Sequence, residues 1–194
     1  MALSASPNPI VIFGGGCDGG VYMLRIHVKT ALELRFGGFR RGKLIPVPAG
    51  EYLYVGSALG AKGAASLPFR LVRHATRSGG RPPHRIREHL ICVLDDAGML
   101  SAQFSPPATK RLHWNVDYLL DRLEAEIVGV IAVRTSRRLE SALTRLVEDE
   151  PRTRPLARGL GANDATGETH LLRVIAGESW WKRLPARVCN AAQR

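Results

Sequence analysis

Two tyrosines, an arginine, a histidine and a glutamate are the residues with which this chain could do chemistry. Tyr22 closes the tripeptide Gly20-Val21-Tyr22, and Tyr54 opens Tyr54-Val55-Gly56. The second tripeptide leads into a basic segment holding Arg70, Arg73 and His74, and a later segment offers Glu140. A phenol can take a proton from water, a guanidinium can hold a phosphate, and a carboxylate can hold a divalent cation. Together they suit the cutting of a phosphodiester. A free phenol titrates at ~10, and a neighbouring arginine or metal would lower that value. The competing readings are plain. A strand tyrosine is often a packing residue, and Arg70, Arg73 and Arg77, expected to contact the phosphates of a nucleic acid, also read as a solvated basic face.

Periodicity gives the elements that must position these groups. Alternating residues predict a strand near 21–28, a second near 31–36, and a third over 51–58 around Tyr52, Tyr54 and Gly56. Residues 65–77 predict a helix, in which Arg70 and His74, four apart, share a face. The stretch 79–111 reads as an insertion with a short helix at 84–94. Another helix is expected from Trp114, with Val116, Leu119, Leu120 and Leu123 at helical spacing. Ile127 to Val133 reads as a buried strand and 137–149 as a helix with Glu140 bordering its apolar stripe. A last strand is expected over 169–175. Strands and helices without regular βαβ alternation predict an α+β fold. The expected architecture is a small antiparallel sheet, three core strands plus an extra strand or hairpin, flanked by helices. The expected organisation is a flexible leader (1–19), one domain (20–175) and a basic, Trp-containing tail (176–194).

Composition narrows the partners. The 194 residues carry 28 Lys+Arg against 17 Asp+Glu, a net charge of +11 that draws a protein toward a polyanion, most often nucleic acid. Cys17, Cys92 and Cys189 form no Cys-x-x-Cys pair, which argues against a zinc ribbon or a thioredoxin-type motif. With no secretory signal expected, the chain reads as cytoplasmic. The apolar run Ile10 to Phe13 is too short for a membrane span. Gly14 to Gly19 matches Gly-x-Gly-x-x-Gly, yet strand-like sequence follows where a dinucleotide loop needs a helix. No dinucleotide cofactor is expected.

In their order, Gly20-Val21-Tyr22, Tyr54-Val55-Gly56-Ser57-Ala58, Arg70-Leu71-Val72-Arg73-His74 and Glu140 resemble the GIY-YIG nuclease family. More narrowly, the chain resembles the GIY-YIG-like domain of unknown function that also occurs fused to endonuclease III-type DNA glycosylases. That closer likeness is carried by Tyr54 to Leu59, His113-Trp114-Asn115-Val116-Asp117-Tyr118-Leu119, Leu139-Glu140, and Gly159-Leu160-Gly161 running on to Asn163-Asp164 and Thr169-His170-Leu171. The resemblance implies a metal-dependent DNA endonuclease or structure-selective nuclease. Tyr22 would assist water activation, Arg70 would bind phosphate, and Glu140 would hold Mg²⁺ or Mn²⁺, with Tyr54 and His74 in support. The alternative it leaves open is a non-catalytic nucleic-acid-binding module of the same fold. The gap between Tyr22 and Tyr54 is longer than in most of these nucleases, and Ser141, Ala165 and Gly167 replace cysteines usual in the narrower group.

Three further residues read two ways. His113, Asp117 and His170 could line the same cleft as acid, base or phosphate contacts, or they could serve as local caps and structural residues. In the tail, Trp180 and Trp181 could stack on bases or dock on the core.

Overall fold

Alternation along β2 (Gly20–Val28) divides its side chains between two cores. Tyr22, Leu24, Ile26 and Val28 face one layer, while Val21 and Met23 face the other. The computed structural model describes residues 8–161 and 169–194, so Asn163, Asp164, Ala165 and Gly167 lie outside the described residues. The remaining strands are β1 (Ile10–Gly14), β3 (Leu32–Arg35), β4 (Leu44–Val47), β5 (Gly50–Ala58), β6 (Ala125–Arg134), β7 (Thr153–Pro155) and β8 (Leu171–Val174). The helices are α1 (Leu67–His74), α2 (Arg87–Asp96), α3 (Asn115–Leu120), α4 (Glu140–Glu148) and α5 (Glu178–Gln193).

The protein is an α+β fold whose mostly antiparallel sheet is flanked by helices. The sheet is wider than expected, with six strands in the order β1-β6-β2-β5-β8-β7. The expected three-stranded core is its centre, where β2 runs antiparallel to both β5 and β6. The extra hairpin is β3–β4, which forms a separate two-stranded sheet. Residues 10–14 correct the reading of a loose leader, since β1 pairs in parallel with Val130 to Arg134 of β6. Its Ile-Val-Ile-Phe run has the β-branched character that fits a pleated, half-buried surface.

One face of the sheet is covered by α1, α2, α3 and the hairpin, whose Phe36, Ile45 and Val47 join the first core. On the other face α4 and α5 pack through Leu143, Val147, Trp180, Trp181 and Leu184. The tail is therefore a docked helix, and its indoles are buried rather than free to stack on bases. Helix α1 is shorter than the expected 65–77; Pro68 suits its first turn, and it stops at His74. No helix among the described residues is long and apolar enough to cross a membrane.

Candidate active site

The residues singled out by their chemistry meet at one rim of the sheet. There β2 begins and β5 and β6 end, because Gly20 pairs with Ala58 on one side and Arg134 on the other. Tyr22 lies opposite Gly56. That glycine is dictated by close approach: a Cβ there would sit 2.6 Å from the Tyr22 Oη and 2.9 Å from Tyr54 Cε1. The bare backbone lets the Tyr22 ring lie across the neighbouring strand. Ring centroids of Tyr22 and Tyr54 are 6.2 Å apart, and both rings abut His74 at 5.6 and 6.0 Å.

A buried chain of hydrogen bonds runs inward from Tyr22. Its Oη lies 2.7 Å from His74 Nε2, and His74 Nδ1 lies 3.2 Å from Asp117 Oδ1 on α3. Asp117 is wholly buried and collects donors. It accepts the Arg73 guanidinium at 3.0–3.2 Å and the backbone N–H groups of His113 and Trp114 at 2.9 and 3.1 Å. Lys110 Nζ is 3.7 Å away and donates to the His74 carbonyl at 3.3 Å. Burial pushes Lys110 down to about 8, even though the Asp117 charge raises it.

Protonation follows from these surroundings. Burial lowers His74 to about 4, against the pull of the Asp117 hydrogen bond and charge. Burial alone would raise Asp117, but the His74 hydrogen bond and the cations Lys110 and Arg73 hold it well below the usual carboxylate range. A neutral imidazole beside a carboxylate donates through Nδ1, so Nε2 accepts the Tyr22 O–H. The phenols depart from expectation. Burial raises Tyr22 far above its ordinary value; Arg70 offsets part of this, and the Glu140 and Asp117 charges add to it. Tyr54 is raised well above its ordinary value by burial, then by Tyr22, Glu140 and Asp117. Desolvation outweighs the nearby cation, so neither phenol is a phenolate near neutral pH.

Arg70 and Glu140 meet around Ser57. The Arg70 guanidinium stacks on Trp114, its carbon 3.7 Å from the ring centroid, with Arg73 at 4.3 Å from the same ring. Arg70 Nη1 reaches toward the Ser57 carbonyl at 3.5 Å, and its Nε is buried without a hydrogen-bond partner. The Ser57 hydroxyl in turn donates to Glu140 Oε2. His170 Nδ1 approaches Glu140 Oε1 at 2.7 Å and the Val55 carbonyl at 3.2 Å. One residue of β5 therefore stands between the guanidinium and the carboxylate.

The family described as "Domain of unknown function DUF123" matches residues 21–191. The chain belongs to the DUF123 family. Comparison with curated proteins and with solved structures gives no match. The DUF123 match spans nearly all of β2 through most of α5, so it takes in both helix layers and every residue of the rim named above except Gly20.

Within this DUF123 domain, Tyr22, Tyr54, Arg70, His74 and Glu140 converge, and His170 joins them through Glu140. Two expected phosphate contacts are otherwise engaged. Arg73 is committed to Asp117 and the Arg111 carbonyl. Arg77, only 2% exposed, donates to the Pro82 and Ala125 carbonyls and to Glu126. The basic-face reading fails for Arg77 because α1 ends at His74, and the following turn sends its side chain inward. His113 is exposed, packs T-shaped on Trp114 at 4.8 Å, and gives Asp117 its backbone N–H. Sequence reading left Asp117 open and missed Trp114, Ser57 and Lys110 as site residues. The only sequence signal for Trp114, Asp117 and Ser57 was their place in the motifs carrying the resemblance.

Among the described residues at the rim, the donor set for a metal is one carboxylate. Each Glu140 oxygen receives one donor and keeps a further lone pair. Among the described residues no group of three or more His, Cys, Asp and Glu forms a cage. One carboxylate with water in the remaining positions fits Mg²⁺, which sheds its hydration shell reluctantly.

Proposed function

We propose that this chain is a metal-dependent nuclease that hydrolyses phosphodiester bonds of nucleic acid, DNA foremost. One observation carries the reading: Ser57 holds the Arg70 guanidinium and the Glu140 carboxylate on either side of itself, at the rim where Tyr22 meets His74. The motif order resembling GIY-YIG nucleases and the net charge of +11 support it. A reducing cytoplasm suits its free cysteines.

In this reading the Arg70 guanidinium, held flat against Trp114, binds the non-bridging phosphate oxygens. Glu140 would hold a divalent ion, Mg²⁺ or Mn²⁺, which when bound would supply Lewis-acid polarisation. Tyr22 works as a relay rather than as a phenolate. Its oxygen takes a proton from the attacking water while its own proton passes to His74 Nε2. The imidazolium so formed faces the Asp117 carboxylate, which offsets its charge without moving. Ser57 and His170 fix the Glu140 carboxylate.

The test is cleavage of plasmid, flap and branched DNA with Mg²⁺ or Mn²⁺. Tyr22→Phe and Glu140→Ala are each expected to lower the rate about 100-fold or more. Wild-type turnover in Glu140→Ala would remove the metal assignment. A second reading, a nucleic-acid-binding module without turnover, is favoured by the depth of the phenols, with Tyr22 and Tyr54 only 1% and 5% exposed. It predicts salt-sensitive binding with no product under any metal.

A further inference from the structure

The hairpin that separates the two tyrosines has a tip that the proposed chemistry does not use. From Leu34 to Leu44 the chain carries Arg35, Arg40, Arg41 and Lys43, all exposed, and no acidic residue. Arg40 and Arg41 both adopt left-handed backbone angles, φ 46° and φ 56°. For residues with a Cβ this conformation is uncommon and unfavourable, and glycine adopts it at no steric cost. The tip already uses glycine at Gly37, Gly38 and Gly42. Two arginines therefore stand where glycine would be unstrained, the kind of outlier that clusters at ligand clamps.

The tip also leans on the segments that build the active rim. Gly37 abuts the Tyr118 hydroxyl of α3, where an added Cβ would come within 2.8 Å. Arg40 Nη2 contacts the Arg158 carbonyl at 3.4 Å. Two residues past Arg158, the Leu160 carbonyl accepts the backbone N–H of His170, which holds Glu140. Helix α3 begins beside Trp114, the ring under Arg70. Arg158 is itself exposed and adds a cation beside the tip.

We propose that the β3–β4 tip is a phosphate-gripping arm. Arg40, Arg41 and Lys43 bind the sugar–phosphate backbone of the same nucleic-acid strand whose scissile phosphate lies at Arg70. The location of the scissile phosphate rests on the nuclease reading; the gripping does not require turnover. Counter-ions leave the phosphates as the cations engage, so salt dependence counts the contacts.

The experiment measures anisotropy of a fluorescein-labelled DNA duplex, and of an RNA duplex of the same sequence, against KCl in metal-free buffer. Arg40→Gly/Arg41→Gly removes two charges from positions where glycine fits. Its plot of log affinity against log salt is expected to flatten by about 2, with a melting temperature at or above that of the wild type. Arg40→Lys/Arg41→Lys is expected to keep the wild-type slope. The arm whose slope flattens identifies the strand gripped, DNA or RNA. A wild-type slope for the glycine variant on both duplexes overturns the proposal, as does a wild-type protein that binds neither. Cleavage is scored separately. A flattened slope in a protein that cuts nothing keeps the arm and sinks the nuclease; an unchanged slope in an active nuclease does the reverse.

Discussion

Asp117 binds more of the site together than any other side chain. Its buried carboxylate receives Arg73, His74 and two backbone N–H groups, with Lys110 close by. Removing one partner of a buried charge cluster typically costs about 3–5 kcal/mol. Asp117→Ala is therefore expected to lose stability on that scale in urea denaturation and to abolish cleavage, since His74 loses its orienting partner. His74 sets a pH signature. Its folded value, about 4, lies below the ordinary 6.5, so between those values the unfolded chain binds the extra proton. The His74 contribution to stability is complete above pH 6.5 and is lost as pH falls toward 4, a loss of about 3 kcal/mol over the window. Urea midpoints measured across that window in wild type and His74→Asn check this, and the variant should show the shallower slope. Gly56→Ala tests the packing of Tyr22. The added methyl collides with the phenol, at an expected cost of about 1–3 kcal/mol by thermal melting and a fall in activity.

At the scale of elements, α1 and its exit show how one basic stretch serves separate ends. Arg70 faces the rim, Arg73 and His74 hold Asp117, and Arg77 turns into the protein to join Glu126 and His84. Arg77→Ala is expected to destabilise by about 3–5 kcal/mol, while the salt dependence of nucleic-acid binding stays as it was. Arg70→Ala should do the opposite, with a small change in melting temperature and a large loss of cleavage. The strands were legible because alternation survives in β2 and β5, and the stripe of α4 was legible in Leu143 and Val147. Tyr22, Tyr54, Arg70, His74 and Glu140 were legible by residue type and order. Trp114 and Ser57 were not, because their roles depend on α3 approaching α1 and on α4 starting beside the last residues of β5. Arg77 misled because a helical projection was carried past the residue at which the helix stops. The tail was ambiguous for a similar reason. Only the packed sheet face decides that Trp180 and Trp181 are core residues.

For the whole molecule, the two layers against one six-stranded sheet bring residues from opposite faces to a single rim. The β1 strand, which lies before the family match, has a consequence beyond that site. It runs along Val130 to Arg134, occupying backbone groups on that side of the hydrophobic β6. At the far side the sheet finishes in β7, three residues long and containing Pro155, a residue that cannot donate to a further ladder. Shortening the chain to begin at residue 16 would uncover a β-branched template able to recruit copies of itself. Such a truncated protein is expected to gain light scattering and thioflavin fluorescence with concentration, while the full chain stays dispersed. The five residues Ile10–Gly14 are thus expected to keep β6 from pairing with other copies of the chain.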